Sequence, residues 1–92
     1  MPGVQREGDF NMFGGIILDG EGSVRVNGRS IAVVQSVVSP HPPCPVKEKH
    51  CVAFTKGGSK KVRANGKSII LTGNKDTCGD SRVGGSGDVK AV

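Results

Sequence analysis

The sequence predicts an all-β domain in which three similar passes of short strands follow one another. Three observations lead to this fold class. Fifteen glycines and five prolines among 92 residues indicate a chain that turns often. Thirteen valines dominate the apolar residues, and their branched side chains favour strands over helices. Finally, one eight-residue segment occurs twice, and a shortened form follows near the end. The length suits one small domain, residues 1–92.

The repeated segment predicts a β-hairpin in each of the first two passes. Residues 24–31 read VRVNGRSI and residues 62–69 read VRANGKSI, so six of the eight positions are identical. In both copies Asn-Gly stands between alternating apolar residues, and this dipeptide favours a type I′ turn because both central residues need positive φ. Residues 83–89 form the truncated third copy. Phe13, Cys51 and Cys78 each lie eleven residues before a repeat valine, which indicates a pseudo-threefold register.

Charge and cysteine usage limit the classes of function. The formal net charge is +5, but basic residues alternate with acidic ones, and three phenylalanines are the only aromatic residues. A nucleic-acid groove is therefore not expected, because no stacking platform accompanies the charge. The N-terminus lacks the apolar core of a signal peptide, so we expect assembly in a cytoplasm. Three cysteines in a reducing compartment favour metal ligands or buried thiols over a disulfide framework.

Residues 39–51, which lie between the first two repeated segments, predict a metal site. This stretch holds both histidines and two of the three cysteines, and its prolines stiffen the loop. Zinc prefers four tetrahedral ligands of nitrogen and sulfur type. The alternatives are a small buried apolar side chain for a cysteine, a surface or capping role for a histidine, and a Cys-His nucleophile pair. The last lacks a recognisable orienting group and oxyanion site, so no enzyme is predicted. The candidate ligands are His41, Cys44, His50, Cys51 and Cys78.

The order of these segments resembles the PAAR-repeat proteins. The residues that carry the resemblance are Gly-Ser-Val and Asn-Gly-Arg within 22–29, the Asn-Gly-Lys turn at 65–67, and Asp-Thr-Cys-Gly at 76–79. Arg-Glu-Gly-Asp at 6–9 and the Gly-Gly pair at 14–15 resemble the family's first repeat. The resemblance implies a small cone with a metal, usually zinc, near its apex. Its base would cap the blunt end of a trimeric β-helical spike, as found in contractile phage tails and type VI secretion.

The resemblance also implies a choice of ligands. The family's second-repeat histidine falls on His50, its third-repeat cysteine falls on Cys78, and its additional upstream ligands match His41 and Cys44. These four residues are the predicted zinc ligands, with Cys51 in reserve and iron as the alternative metal. The chain departs from the family pattern in two places. Phe13 stands where a histidine is usual, and Gln-Ser at 35–36 replaces the usual Gly-Asp.

The function implied by the resemblance is that of a structural, membrane-piercing tip protein. One copy would sit on a homotrimeric spike and contact a membrane transiently, without binding nucleic acid. It would belong to the tail baseplate of a virion, or to a bacterial cytoplasm before type VI secretion. Because the sequence shows no further domain up to Val92, we expect a plain tip and not one that carries a toxin. The alternatives are a free-standing zinc module contacting nucleic acid or another protein, and a small thiol enzyme. Candidate base contacts are Val24, Val26, Ile31, Val62, Ile69, Ile70, Leu71 and Val89.

Overall fold

The described residues form short antiparallel hairpins. The computed structural model describes residues 2–41, 44, 46 and 50–91, with principal extents of 35 × 23 × 22 Å. Within them lie six strands and no α-helix, which confirms the all-β prediction. The strand pairs are β1 (Glu21–Val26) with β2 (Arg29–Ile31), β3 (Val37–Val38) with β4 (Ala53–Phe54), and β5 (Arg63–Ala64) with β6 (Lys67–Ser68). The described part of the chain contains no helix with the length and apolar character needed to cross a bilayer.

The two Asn-Gly turns have the predicted conformation. Asn27 and Gly28 connect β1 to β2 with φ angles of 55° and 80°, and Asn65 and Gly66 connect β5 to β6 with 50° and 81°. Positive φ at both central residues is the signature of a type I′ turn. The hairpin prediction is therefore confirmed in both copies.

A closed ring of backbone hydrogen bonds relates the three passes. Gln5 N–H donates to Ile70 O, Ile70 N–H donates to Ala32 O, and Ala32 N–H donates to Gln5 O, at 2.9 to 3.0 Å. These three residues are fully buried. Because each residue makes the same bond to the next, they occupy equivalent positions around one axis. This ring confirms the pseudo-threefold repeat.

The third pass is completed by residues near the start of the chain. Gly3 pairs with Lys90 in an antiparallel bridge, Val4 N–H donates to Val89 O at 2.9 Å, and Ser86 N–H donates to Val4 O at 2.9 Å. The third hairpin therefore has its two arms at opposite ends of the sequence and needs no tight turn. The sequence repeat revealed only the arm near the C-terminus, residues 83–89.

A tight turn follows the ring in every pass. Gly8, Gln35 and Gly73 occupy its third position with φ of 90°, 65° and 96°. Gln35 thus adopts the left-handed conformation that glycine adopts in the other two passes, so the Gln-Ser departure leaves the turn unchanged. In each pass the next side chain accepts a hydrogen bond from the backbone N–H three residues earlier. These capping residues are Asp9, Ser36 and Asn74.

Buried apolar side chains form three clusters in succession. The second cluster adjoins the first, because Ala32 and Ile70 directly follow two residues of the first cluster in sequence. The second cluster also adjoins the third, because Ile17 forms an antiparallel bridge with Val38. The two Asn-Gly hairpins therefore lie at one end of the series, called the hairpin end below, and Cys78 lies in the cluster at the other end. The first cluster is Val4, Val26, Ile31, Val33, Ala64, Ile69 and Leu71; the second is Ile17, Ala32 and Ile70; the third is Val38, Ala53 and Cys78.

Gly58 is expected to tolerate alanine less well than Gly66 does. Both glycines have positive φ, 88° and 81°. A Cβ on Gly58 would lie 2.9 Å from Ile69 O, whereas one on Gly66 meets nothing within 4 Å. Gly66→Ala should cost about 1–2 kcal/mol through the backbone conformation alone, and Gly58→Ala should cost a further ~1–3 kcal/mol through steric overlap. Urea denaturation of both variants measures the difference, and equal losses would contradict the close approach.

Candidate metal centre

Four donor side chains meet beside the third apolar cluster. One ligand atom from each of His41, His50, Cys78 and Asp80 lies within 4.8 Å of every other. All four residues are buried. Imidazole nitrogens, a thiol and a carboxylate are the donor types that zinc accepts. Burial of such groups together is costly unless they are paired or bind a cation.

The separations between these atoms suit one shared ion. His41 Nε2 lies 3.0 Å from Asp80 Oδ2 and 3.1 Å from His50 Nδ1, and His50 Nδ1 lies 3.1 Å from Asp80 Oδ2. Cys78 Sγ lies 3.5 Å from His41 Nε2 and 3.3 Å from Asp80 Oδ2. Zinc–ligand bonds of 2.0–2.3 Å place neighbouring tetrahedral ligands about 3.3–3.8 Å apart. The remaining separation, between the donor atoms of Cys78 and His50, is within 4.8 Å, so an adjustment of side chains would let the four atoms form a tetrahedral donor set.

The two histidines lie on the long hairpin of the middle pass. β3 and β4 pair through Val38 and Ala53, and His41 N–H donates to His50 O at 3.1 Å beyond them. Antiparallel pairing thus continues past the strands and brings together two residues nine apart in sequence. The hairpin delivers both imidazoles to the same place.

The thiol and the carboxylate come from one tight turn of the third pass. Asp76 N–H donates to Asp80 O at 2.9 Å, and Gly79 N–H donates to Asp76 O at 2.9 Å. Gly79 has a φ of 92°, which closes the turn. Cys78 and Asp80, two residues apart, therefore direct their side chains to one point.

The first pass provides a wall and space for the site. Its Phe13 lies edge-on to His50 with ring centroids 6.3 Å apart and offers no metal ligand. Gly15 corresponds to Asp80 of the third pass, because each accepts the matching turn hydrogen bond. A Cβ on Gly15 would lie 2.6 Å from His41 Nδ1. Glycine here makes room for the histidine of the neighbouring pass.

Two further contacts orient His41. Its Nδ1 lies 2.8 Å from Ser39 O, so the ring donates to the carbonyl and presents Nε2 to the donor group. Asn11 Nδ2 lies 3.5 Å from the same Nε2 and donates to Asp76 Oδ2 at 2.9 Å. Asp76 in turn accepts from the guanidinium of Arg82 at 2.8 Å. A buried polar chain therefore leads from the donor group into the centre of the fold.

Comparison with known families agrees with this architecture. A family model described as the PAAR motif matches residues 7–83 of the 92-residue chain. The chain belongs to the PAAR-motif family. The resemblance noted from the sequence is thereby confirmed. No curated protein matches the chain.

Burial controls the protonation of the thiol in this PAAR protein. It raises the pKa of Cys78 above its ordinary value, and the negative charges of Asp80 and Asp76 raise it further. Without a metal, Cys78 is accordingly a thiol at neutral pH. Metals bind the thiolate, so binding at this site releases a proton.

The donor group in the structure of the PAAR chain differs from the ligand set predicted from the sequence. His41, His50 and Cys78 come together, but Cys44 does not join them, because its sulfur is bonded to that of Cys51 across a Cα–Cα distance of 5.1 Å. A disulfide sulfur cannot act as a thiolate ligand. The preference for ligands or thiols over a disulfide is therefore wrong for this pair, and Cys51 is neither a reserve ligand nor a free buried thiol. Of the four prolines predicted to stiffen the loop, Pro42, Pro43 and Pro45 lie outside the described residues.

Asp80 is the member of the donor group that sequence reasoning missed. The predicted ligands were all nitrogen or sulfur donors, although zinc also accepts carboxylate oxygen. A usable signal was present in the Cys-Gly-Asp order of residues 78–80. A tight turn with glycine at its centre can direct the two flanking side chains to one ion.

Proposed function

We propose that the protein is a structural, non-enzymatic tip that caps a trimeric β-helical spike at its hairpin end and binds zinc at its opposite end. Membership in the PAAR family supports this role. The observation that carries the proposal is a threefold set of exposed valines at the hairpin end. In this role the chain belongs to a phage tail or to a type VI secretion spike, and its metal end meets the membrane first.

The three valines occupy equivalent positions in the three passes. Each lies three residues after a residue whose side-chain oxygen accepts the backbone N–H of the residue directly before the valine. The residues that carry these oxygens are Glu21, Ser59 and Ser86. Val24, Val62 and Val89 are exposed to a similar degree, 36 to 40%, so the equivalence of their positions, not the degree of exposure, sets them apart. The other predicted base contacts, Val26, Ile31, Ile69, Ile70 and Leu71, are buried and form the core.

A threefold set of apolar contacts matches the symmetry of a homotrimer. One chain with three similar passes can present the same patch to each subunit of a threefold spike, so a single copy satisfies the whole blunt end. The open strand edges of a β-helix need such a cover, because uncovered edges pair with other chains. The same argument predicts one copy per trimer.

The metal end needs stability that the small core cannot supply. A chain of this length buries about 60–65% of its unfolded surface and often relies on a metal or a partner. His41, His50, Cys78 and Asp80 would hold the zinc, which ties the middle pass to the third. A bound structural metal adds its binding free energy to the folding free energy. This is how the chain would stay rigid at a narrow tip.

Val62→Asp should weaken binding to the spike, whereas Val52→Asp should not. A carboxylate at the interface must be desolvated, and a loss of about 2 kcal/mol or more corresponds to at least ~30-fold weaker binding. Val52→Asp is the control. Val52 is 68% exposed and lies on the metal-site loop, so the same substitution is made outside the set of three valines. Light scattering of mixtures with a trimeric β-helical spike fragment from the same source gives the stoichiometry, and titration gives the Kd. Unchanged zinc content shows that both variants are folded.

The proposal fails if the wild-type chain does not bind the spike at micromolar concentration. It also fails if three chains bind each trimer, or if both substitutions weaken binding equally. Equal weakening would mean that the threefold set of valines contributes no more to binding than an exposed valine elsewhere on the surface.

A further inference from the structure

A disulfide clasps the loop that carries both histidines of the donor group. Cys44 lies three residues after His41, and Cys51 directly follows His50. Their sulfurs are bonded to each other, and their Cα atoms are 5.1 Å apart. Cys44 N–H also donates to His41 O at 2.9 Å, and His41 N–H donates to His50 O at 3.1 Å. The disulfide between Cys44 and Cys51 therefore links the same two sides of the loop that the hydrogen bond between His41 and His50 joins.

The third cysteine differs in its surroundings. Cys78 is only 3% exposed and belongs to the donor group, whereas Cys44 and Cys51 are half-buried. Val46 and Val52, which lie beside the pair in sequence, are 84% and 68% exposed. Small thiols and disulfides in solution can thus reach the pair more readily than they can reach Cys78.

We propose that Cys44 and Cys51 form a thiol–disulfide exchange site whose oxidation state sets the metal affinity of the neighbouring donor group. Its reaction partners are low-molecular-weight thiols and disulfides of the glutathione class. The inference rests on the proposed metal site. When the disulfide is closed, His41 and His50 are held together before the metal arrives, so less loop entropy is lost on binding.

The exchange is balanced as two successive displacements. One cysteine thiolate attacks a sulfur of glutathione disulfide, which forms a mixed disulfide and expels one glutathione thiolate. The second cysteine thiolate attacks the mixed disulfide at the protein sulfur, which closes the Cys44–Cys51 bond and expels the second glutathione thiolate. The two protons lost by the cysteines pass to the two glutathione molecules. The protein is oxidised by two electrons, and glutathione disulfide is reduced by two.

The size of the effect follows from the length of the loop. The chain-entropy model gives a loop of eight residues a closure entropy that corresponds to a ceiling of roughly 60-fold in an equilibrium constant. The hydrogen bond between the two histidines already restricts part of that freedom. We therefore expect the oxidised protein to bind zinc roughly tenfold more tightly than the reduced protein.

The test uses the full chain, with zinc as the probe and a chromophoric chelator as competitor. Wild type is compared before and after reduction by a phosphine, which opens the disulfide, and mass spectrometry counts the free thiols in each state. The matched control is the double variant Cys44→Ser/Cys51→Ser. It should bind zinc as weakly as the reduced wild type and should not respond to the reductant. Glutathione buffers of graded ratio should shift wild type between the two affinities.

Each remaining outcome overturns a stated part. Equal zinc affinity in both states refutes the exchange site but leaves the metal centre intact. Tighter binding by the reduced protein refutes the clasp, since the freed thiolates would then act as ligands. No zinc binding in either state refutes the metal centre itself, and the clasp with it.

Discussion

Replacing Cys78 with serine is expected to abolish zinc binding at stoichiometric concentrations and to remove the stabilisation that zinc provides. At a free zinc concentration 1,000 times the Kd, bound metal adds about 4 kcal/mol to the free energy of unfolding. For a chain of this size, each 1 kcal/mol shifts the midpoint of thermal unfolding by about 4–8 °C. Wild type should therefore melt about 15 °C or more higher with zinc than without it, and Cys78→Ser should show almost no difference.

A cycle of metal and mutation separates ligand loss from packing. Cys78 packs with Val38 and Ala53, so the metal-free proteins report the cost of the substitution in the core, and the zinc-bound proteins add the cost of ligand loss. Elemental analysis gives the stoichiometry. Asp80→Asn keeps the side-chain size and removes the charge, so it should also reduce zinc affinity. The site assigned here would be wrong if Cys78→Ser kept one zinc per chain with an unchanged stabilisation.

The same measurements decide between Cys44 and Asp80 as the fourth donor. Cys44→Ser/Cys51→Ser should retain one zinc per chain at saturating zinc, because neither sulfur belongs to the donor group. Loss of zinc from this variant, together with full retention by Asp80→Asn, would restore the set chosen from the sequence.

Arg82→Met is expected to lower the free energy of unfolding by about 3–5 kcal/mol. Arg82 is 1% exposed, and its guanidinium donates to Asp76 Oδ2 at 2.8 Å, to Asp9 O at 2.7 Å and to Gln5 Oε1 at 3.3 Å. Methionine fills similar space but donates no hydrogen bond. The fully buried carboxylate of Asp76 would lose its cation, although its Oδ1 already accepts no hydrogen bond from the described residues.

Arg29→Met supplies the matched control. Arg29 also faces Asp9, at 3.4 Å, but its side chain is 49% exposed. Such a pair contributes about 0–1 kcal/mol, since water screens it. Urea denaturation of the two methionine variants gives the comparison. Equal losses would show that the burial of Arg82 has no energetic consequence.

The other passes suggest a compensating double variant. Arg82 corresponds to Ile17 and Thr55, because all three donate the same backbone hydrogen bond after the tight turn. Asp76 corresponds to Val38, because each lies six residues after the ring residue of its pass. Asp76→Val/Arg82→Ile should therefore be more stable than Arg82→Met, because apolar side chains often replace a buried ion pair without loss. A double variant less stable than the single one would indicate that the polar chain to Asn11 dominates.

The local parts of the fold could be predicted from neighbouring residues. Asn-Gly specifies a type I′ turn through the φ angles of two adjacent residues, so both hairpins followed from the repeat alone. The abundance of valine indicated strands, because the preference of a β-branched side chain for extended backbone is also a local property. Three members of the donor group were also predictable, because His41 and His50 share one loop and Cys78 stands in the equivalent turn of the next pass.

The remaining features depend on contacts between distant parts of the chain. Gly3 and Val4 complete the third pass across more than eighty residues, and nothing in their own sequence resembles the hairpin repeat. The bond between Cys44 and Cys51 depends on how close the fold brings these two residues. Spacing could not distinguish that pairing from a shared metal.

The sequence by itself determined the strand class, the two turns, the threefold repeat and the loop that carries the histidines, since each depends on short-range geometry. The tertiary structure decided which donors meet. Asp80 replaces Cys44 because the turn of the third pass directs its carboxylate toward His41, while the disulfide removes Cys44 from the donors. The tertiary structure also buries Arg82 at the centre of the fold, where Asp76 of the same pass supplies the opposite charge. These outcomes depend on which side chains meet in space, and the local sequence does not determine the distances between residues that are far apart along the chain.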